Sequence, residues 1–261
     1  MESLSSLLAR PAWLVNRLFI WIPIQQRRKR LSRQINNLFD STIAYGPFKG
    51  QKLTRRNWWG VKDRASMIFG LYEHEVLNSL MSVPSQYKTF IDLGAADGYY
   101  GIGALVSGKF ERTYCFEISP EGRRVIAENA VLNKVADQMT VHGIADSDFS
   151  KLIPLNQIDK SVLLIDIEGA EFSLCTREMF CAFQNSIIFI EVHSLFYDDG
   201  ADRQAQLKAT AEEFFVVSEL TTGNRDPSQF PELDDYEDTD RWLICSEGRQ
   251  KRMTWFRLDP K

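Results

Sequence analysis

The chain of 261 residues carries 31 basic and 35 acidic residues, a formal charge of −4, and is 44% hydrophobic. That apolar content with so small a net charge excludes disorder as the main state, and the mildly acidic balance is not that of a protein dedicated to nucleic acid. Cys115, Cys175, Cys181 and Cys245 form no CxxC pair and the three histidines lie far apart, so a disulfide scaffold and a structural zinc site are disfavoured and reduced thiols in a cytoplasmic protein are expected.

Charge is unevenly spread along the chain. Within residues 1–33, Arg10, Arg17, Arg27, Arg28, Lys29, Arg30 and Arg33 stand against one acid, Glu2, giving +6 and leaving −10 for the remainder. Eleven mostly apolar residues between Pro11 and Pro23 precede the basic run. They are too few to cross a bilayer, and a positive cluster after the apolar stretch reverses the order of a secretory signal. Tryptophan and basic side chains beside an apolar helix suit the headgroup region of an anionic membrane, which would place the protein peripherally at its inner face. The same helix can instead pack on the core or on a partner subunit. Ile43 to Leu53 reads as an extended segment and turn before Trp58-Trp59-Gly60, a pair suited to stacking on a sugar or to a buried contact. Residues 70–82 read as a helix with Leu71, Val76, Leu77 and Leu80 on one side, and Tyr72, Glu73, His74 and Glu75 near its start.

From Lys88 the pattern becomes regular. Apolar runs at Phe90–Leu93, Tyr114–Ile118, Met139–Ile144, Val162–Ile167, Ile187–Val192, Phe214–Val217 and Trp242–Cys245 predict seven strands. Most are continuous rather than alternating, as in strands covered on both faces. Helical stretches near 99–108, 121–133, 170–183 and 201–213 separate them, and this alternation predicts a doubly wound α/β fold with a mostly parallel sheet. Residues 226–240, with seven acids and no base, fall between the last two strands and read as a solvated, mobile loop or a substrate loop.

The first strand runs into Asp92-Leu-Gly-Ala-Ala-Asp-Gly-Tyr-Tyr-Gly101. Gly94 and Gly98 allow a sharp turn and close approach of a ligand. Glu117 stands nineteen residues after Gly98, at the end of the second strand, where an acid takes both hydroxyls of a ribose. Dinucleotide sites use G-x-G-x-x-G and seat pyrophosphate on a helix N-terminus. Here the spacing of Gly94, Gly98 and Gly101 differs, and Asp92 and Asp97 flank the turn. Carboxylates repel pyrophosphate and attract ammonium. S-adenosylmethionine (SAM), with an amino-acid end, a ribose and an adenine but no phosphate, is the expected cofactor.

Together with Phe116-Glu-Ile-Ser-Pro120, Ile165-Asp-Ile-Glu-Gly-Ala-Glu171 and Ile190-Glu-Val-His193, this loop resembles class I SAM-dependent methyltransferases and, more narrowly, the FkbM-type family, over residues 88–245. Leu164 departs from the lysine that FkbM-like sequences often carry two places before Asp166. The resemblance implies a Rossmann-like sheet of order 3-2-1-4-5-7-6 with the last strand antiparallel. It implies a methyltransferase domain over 88–261, preceded by an extension over 38–87 covering the cofactor site and a basic, Trp-containing helical arm over 1–37. The implied cofactor site comprises Asp92, Gly94, Ala95, Asp97, Gly98, Glu117, Ile118, Ala145 and Asp146. Asp92 and Gly94 would line the methionine pocket, Glu117 would bind ribose, and Ala145 and Asp146 would border the adenine. The implied acceptor is a hydroxyl on a sugar, glycan or small natural product. A methyltransferase for protein or RNA, or a non-catalytic SAM-fold subunit for assembly or membrane recruitment, are the alternatives. Asp166-Ile-Glu-Gly replaces the Asn/Asp-Pro-Pro-aromatic string of base amino-methyltransferases, which disfavours nucleic acid.

Methyl transfer to a hydroxyl is an in-line displacement that requires alignment and removal of a proton. Asp166 and Glu168 end one strand, Glu191 and His193 the next, and residues two apart share a face. Asp166, Glu191 and His193 are thus expected to converge. His193 could serve as general base, or the three could hold Mg²⁺ or a similar ion. Glu168, Tyr72 and Glu73 are the expected acceptor contacts, and Glu171 reads as a first-turn acid favoured by its helix dipole.

Overall fold

The computed structural model describes residues 16–55, 59–249 and 251–261. Arg10, the apolar stretch up to residue 15 and Trp58 lie outside the described residues. The strands β1 (Thr89–Leu93), β2 (Arg112–Phe116), β3 (Met139–His142), β4 (Ser161–Ile165), β5 (Ile187–Val192), β6 (Phe215–Thr221) and β7 (Thr254–Pro260) form one sheet. Its order is β3-β2-β1-β4-β5-β7-β6. β1 to β5 are parallel, and β7 runs antiparallel between β5 and β6. This is the doubly wound, mostly parallel seven-stranded sheet expected from the sequence.

The central strands are apolar on both faces because both are covered. Ile91, Leu93, Leu163, Ile165, Ile188 and Ile190 pack on one side, and Phe90, Val162, Leu164, Ile187 and Phe189 on the other. Helices α1 (Ile22–Leu38), α2 (Arg64–Ile68), α3 (His74–Met81), α4 (Tyr99–Val106), α5 (Pro120–Leu132), α6 (Leu155–Ile158), α7 (Glu171–Leu174), α8 (Arg177–Ala182), α9 (Gly200–Ala211) and α10 (Asp238–Cys245) surround the sheet. α5 starts where Ser119 Oγ accepts from Gly122 N and Pro120 takes the first helical position. The single helix expected over 170–183 is two, α7 and α8, and the second is capped by Thr176, whose hydroxyl accepts from Met179 N.

One expected strand is a helix. Trp242–Cys245 belongs to α10, and the seventh strand lies further on, at β7. Four consecutive apolar residues do not distinguish the two periods. Asp238 and Asp240 in the first turn favour a helix N-terminus, and the run is then one-sided, with Ile244 and Cys245 buried and Trp242 exposed.

The basic and acidic segments are partners. α1 buries Leu31 and Ile35 against Phe69, Phe230, Leu233 and Ile244. Arg28 is buried, paired with Asp63 and donating to the Ser246 carbonyl. Arg27 donates to Asp240 and, 210 residues away in sequence, to Glu237. Residues 226–240 are therefore not a solvated loop: Phe230 and Leu233, set among the acids, draw the segment onto α1. An Ile35→Ala variant is expected to lose about 2–5 kcal/mol of stability in urea unfolding. A change below about 0.5 kcal/mol would show that this helix does not close a core. No helix among the described residues is long and apolar enough to cross a membrane.

Candidate active site

Ligand crevices in doubly wound sheets open where the strand order reverses, here between β1 and β4. Leu93 pairs with Ile165, and Asp166 N donates to the Leu93 carbonyl (2.9 Å), which sets Gly94 level with Asp166. Gly94 has φ +91°, and a Cβ there would overlap the Asp166 carbonyl oxygen, so this position admits only glycine without a shift of the backbone. Glu117, at the end of β2, accepts from Ala96 N (2.9 Å) and Ser119 N (2.7 Å), which fixes its carboxylate beside the glycine loop.

A cavity of about 310 Å³ opens at this point. Gly94, Glu117, Ile118 and Ala145 line it, joined by Trp59, Ala96, Phe116, Ile144, Asp166, Ile167, Glu168 and Ala170. Among these described residues the charged side chains are all acidic. The other expected cofactor residues are not in this lining. Asp92 is buried and accepts from Gly101 N (3.1 Å), and burial, only partly offset by that hydrogen bond, pushes its carboxyl up to about 7. Asp97 is buried against Arg64 (3.6 Å), while Asn129 Nδ2 donates to the Asp97 carbonyl. Burial raises the Asp97 pKa and lowers that of Arg64, each opposed by the other's charge. Ala95 and Gly98 are buried in the loop, and Asp146 is exposed and accepts from Asp148 N.

A second cavity, of about 540 Å³, shares Trp59, Asp166 and Glu168 with the first. Its remaining walls include Lys29, Lys62, Asp63, Tyr72, Glu191, His193, Phe196, Glu247 and Arg249. Ile165 pairs with Ile190, so Asp166 and Glu191 lie side by side on the face that also carries His193. His193 Nε2 is 3.5 Å from Asp166, 3.6 Å from Glu191 and 3.7 Å from Glu168. The convergence expected from strand periodicity is present.

Glu171 stands in the first turn of α7, as expected, and it is fully buried. Its carboxylate accepts from Gly169 N (2.8 Å) and His193 N (2.8 Å) and lies 3.2 Å from His193 Nδ1. A carboxylate held this way only accepts, which assigns the proton to Nδ1 and leaves Nε2 facing Asp166 and Glu191. The turn that aims Glu171 inward uses left-handed backbone at Glu168 (φ +54°) and Gly169 (φ +103°). Burial works against a charged His193, but the hydrogen bond to Glu171 and the charges of Glu191, Glu171 and Glu168 outweigh it and raise its pKa. Burial alone would raise Glu171, yet its hydrogen bonds with His193 bring its pKa below the ordinary value. Asp166 is held well above the usual carboxylate range, first by burial and then by Glu191 and Glu73.

Tyr72 lines the second cavity, whereas Glu73 sits behind it. Glu73 is buried, accepts from Tyr100 Oη (2.7 Å) and pairs with Arg249. Burial, then the charge of Glu191, pushes it up to about 8. Arg249 also donates to Glu191 (2.6 Å) and Glu247 (2.8 Å), so one guanidinium ties three acids together. Arg249 and Glu247 have no local signature; the loop before β7 brings them to a strand end 58 residues earlier in the chain.

No protein-family model matches the chain, and no curated protein matches its sequence. Solved structures resemble it at low identity. A putative tRNA (m1A22) methyltransferase of Streptococcus pneumoniae, solved in complex with SAM, is 12% identical, with a TM-score of 0.48 over 71% of this chain and 72% of that one. The m1A22 tRNA methyltransferase of B. subtilis is 9% identical, with a TM-score of 0.46 over 70% of this chain and 64% of that one. Precorrin-6y C5,15-methyltransferase of Geobacter metallireducens is 13% identical, with a TM-score of 0.46 over 70% of this chain and 86% of that one. Likeness at this level says nothing of substrate chemistry, which has to be argued from the side chains.

Proposed function

We propose that the chain is a SAM-dependent methyltransferase of the FkbM type, transferring a methyl group to a hydroxyl of a sugar, glycan or small natural product. The observation that carries this reading is the first cavity, an apolar cleft at the switch point with Glu117 held beside the glycine loop and an entirely acidic set of charged residues among those described. Pyrophosphate would meet Glu117, Asp166 and Glu168 there, with no compensating cation among the described lining residues. A phosphate-free nucleoside bearing positive charge fits the same lining.

SAM, when bound, supplies a methyl group on a positively charged sulfur. The chain's own residues have three tasks. Asp166 and Glu168, common to both cavities, border the place where donor and acceptor would meet. Glu171 holds His193 in one tautomer, and Nε2 takes the acceptor's proton. Arg249 fixes Glu191 beside it. The acids of the second cavity weigh against a polyanionic RNA reaching this point.

A divalent cation is a second reading with its own support. Asp166, Glu191 and His193 each offer a ligand atom within 4.8 Å of the others. Bonds of about 2.1 Å to one ion would bring such atoms to about 3.0–3.4 Å of each other, close to the separations present. Asp166 Oδ1 is buried without a hydrogen-bond partner, and a carboxylate on the far nitrogen of a histidine is the usual support for a metal ligand.

Titration calorimetry with SAM and with NAD⁺ tests the cofactor. Binding of SAM alone is expected, and Glu117→Ala should weaken it at least about tenfold, the loss of one charge-assisted contact. Absence of SAM binding would sink the reading. Activity that EDTA abolishes and Mg²⁺ restores would favour the cation over the simple base.

A further inference from the structure

We infer that this chain docks on an anionic lipid surface through the start of its first helix, and that the mouth of the acceptor cavity faces that surface. The docking stands on the surface residues alone; the consequence for the acceptor, that it is carried on lipid, rests on the proposed methyl transfer.

The π-helical turn Arg17–Trp21, which leads into α1, has no buried residue. Leu18 is 47% exposed, Phe19 73%, Ile20 55% and Ile24 41%. Later in the same helix Leu31 and Ile35 are fully enclosed, so the helix holds to the body by its second half and presents its first half outward. A run of large apolar side chains left in water marks an interaction surface.

Its surroundings identify the partner. Residues 17–38 contain no acid, and Lys29, Arg30 and Arg33 are exposed on the turns that follow. Lys62 Nζ lies over the Trp21 ring at 5.8 Å. Lys29 and Lys62 line the acceptor cavity with Trp59 and Phe196, both exposed aromatics. Lysines and aromatic rings thus line one opening, and Lys62 links it to Trp21 at the end of the exposed apolar turn. That combination matches the interface of a bilayer with anionic headgroups, where aliphatic side chains enter the acyl boundary and lysines meet phosphate. A second copy docking isologously would bring Lys29, Arg30 and Arg33 close to their own equivalents, and residues 17–38 carry no acid to offset them. Because no described helix is long enough to span a membrane, the segment would lie in the interface. The rim would hold lipid phosphate while the acidic floor around His193 receives an uncharged hydroxyl.

The test is cosedimentation of the full chain with vesicles of phosphatidylcholine, with and without phosphatidylglycerol. Binding only to the anionic vesicles, weakened by salt, is expected. It should fall about tenfold or more in an Arg30→Glu/Arg33→Glu variant, given the worth of each basic residue near such a surface, and also in Phe19→Ser/Ile20→Ser. Both variants should keep the SAM affinity of the parent, which separates failure of docking from failure of the cofactor reading. Brominated lipids should quench tryptophan fluorescence less in Trp59→Phe than in the parent. Equal quenching would overturn the placement of the cavity mouth. No vesicle binding, binding that both double variants leave unchanged, or a dimer in light scattering that Phe19→Ser dissociates would overturn the docking itself.

Discussion

Replacing His193 by alanine is expected to lower kcat by about a hundred- to ten-thousandfold, the usual worth of a positioned acid–base group, while SAM affinity changes by less than about threefold. The geometry predicts this separation. His193 lines the second cavity and not the one that carries Glu117, and its two nitrogens face different partners, Glu171 and the Asp166–Glu191 pair. The alanine variant leaves the Glu171 carboxylate buried with one partner fewer, so about 1–3 kcal/mol of stability should go with it. Rates are therefore to be measured well below the melting transition. Glu171→Gln is the companion variant: it keeps an acceptor for Nδ1–H but removes the charge, and a smaller loss of kcat is expected. A His193→Ala enzyme with parental kcat would rule out both base and metal-ligand roles for this residue.

Asp92→Asn is expected to stabilise the protein at pH 8 and leave it nearly unchanged at pH 4. The sign follows from proton linkage. A carboxyl that titrates near 3.9 in the unfolded chain and at about 7 in the fold binds its proton more tightly in the fold. Its contribution is then fully present below the unfolded pKa, declines as pH rises through that window and is lost above about 7. Three pH units correspond to about 4 kcal/mol, an upper bound for the gain at pH 8. Asparagine keeps an acceptor for Gly101 N, so the loop geometry should survive. Urea unfolding from pH 4 to pH 8 measures the effect, and parallel pH curves for the two proteins would show that Asp92 stays charged in the fold. The accompanying expectation is weaker SAM binding in the variant, because the loop would lose the negative charge beneath it.

The meeting of Gly94 and Glu117 at the first cavity was legible because the two are close in sequence. Gly94 and Glu117 need only a strand, a tight turn and a second strand to reach one another, and the local spacing states that. The meeting of Asp166, Glu191 and His193 was legible for a related reason: strand periodicity fixes which residues share a face, and neighbouring parallel strands bring their ends together. Glu171 is the first-turn acid its position suggests, but its contact with His193 was not legible, because its direction depends on left-handed backbone at Glu168, a conformation no propensity rule assigns to glutamate. Arg249 and Glu247 carried no signal, since their role exists only once the loop before β7 returns to β5.

The sequence by itself determined the doubly wound class, the strand order implied by resemblance, the glycine turn and the face on which the candidate chemistry lies. These depend on periodicity and short-range sterics, which any window of the chain expresses. Tertiary structure alone decided that Trp242–Cys245 is helical, that the acidic segment docks on the basic helix, and that one arginine ties Glu73, Glu191 and Glu247 together. A four-residue apolar run satisfies either period until packing selects one. Opposite charges at the two ends of a chain, likewise, become a contact only when buried apolar neighbours such as Ile35, Phe230 and Leu233 bring them together.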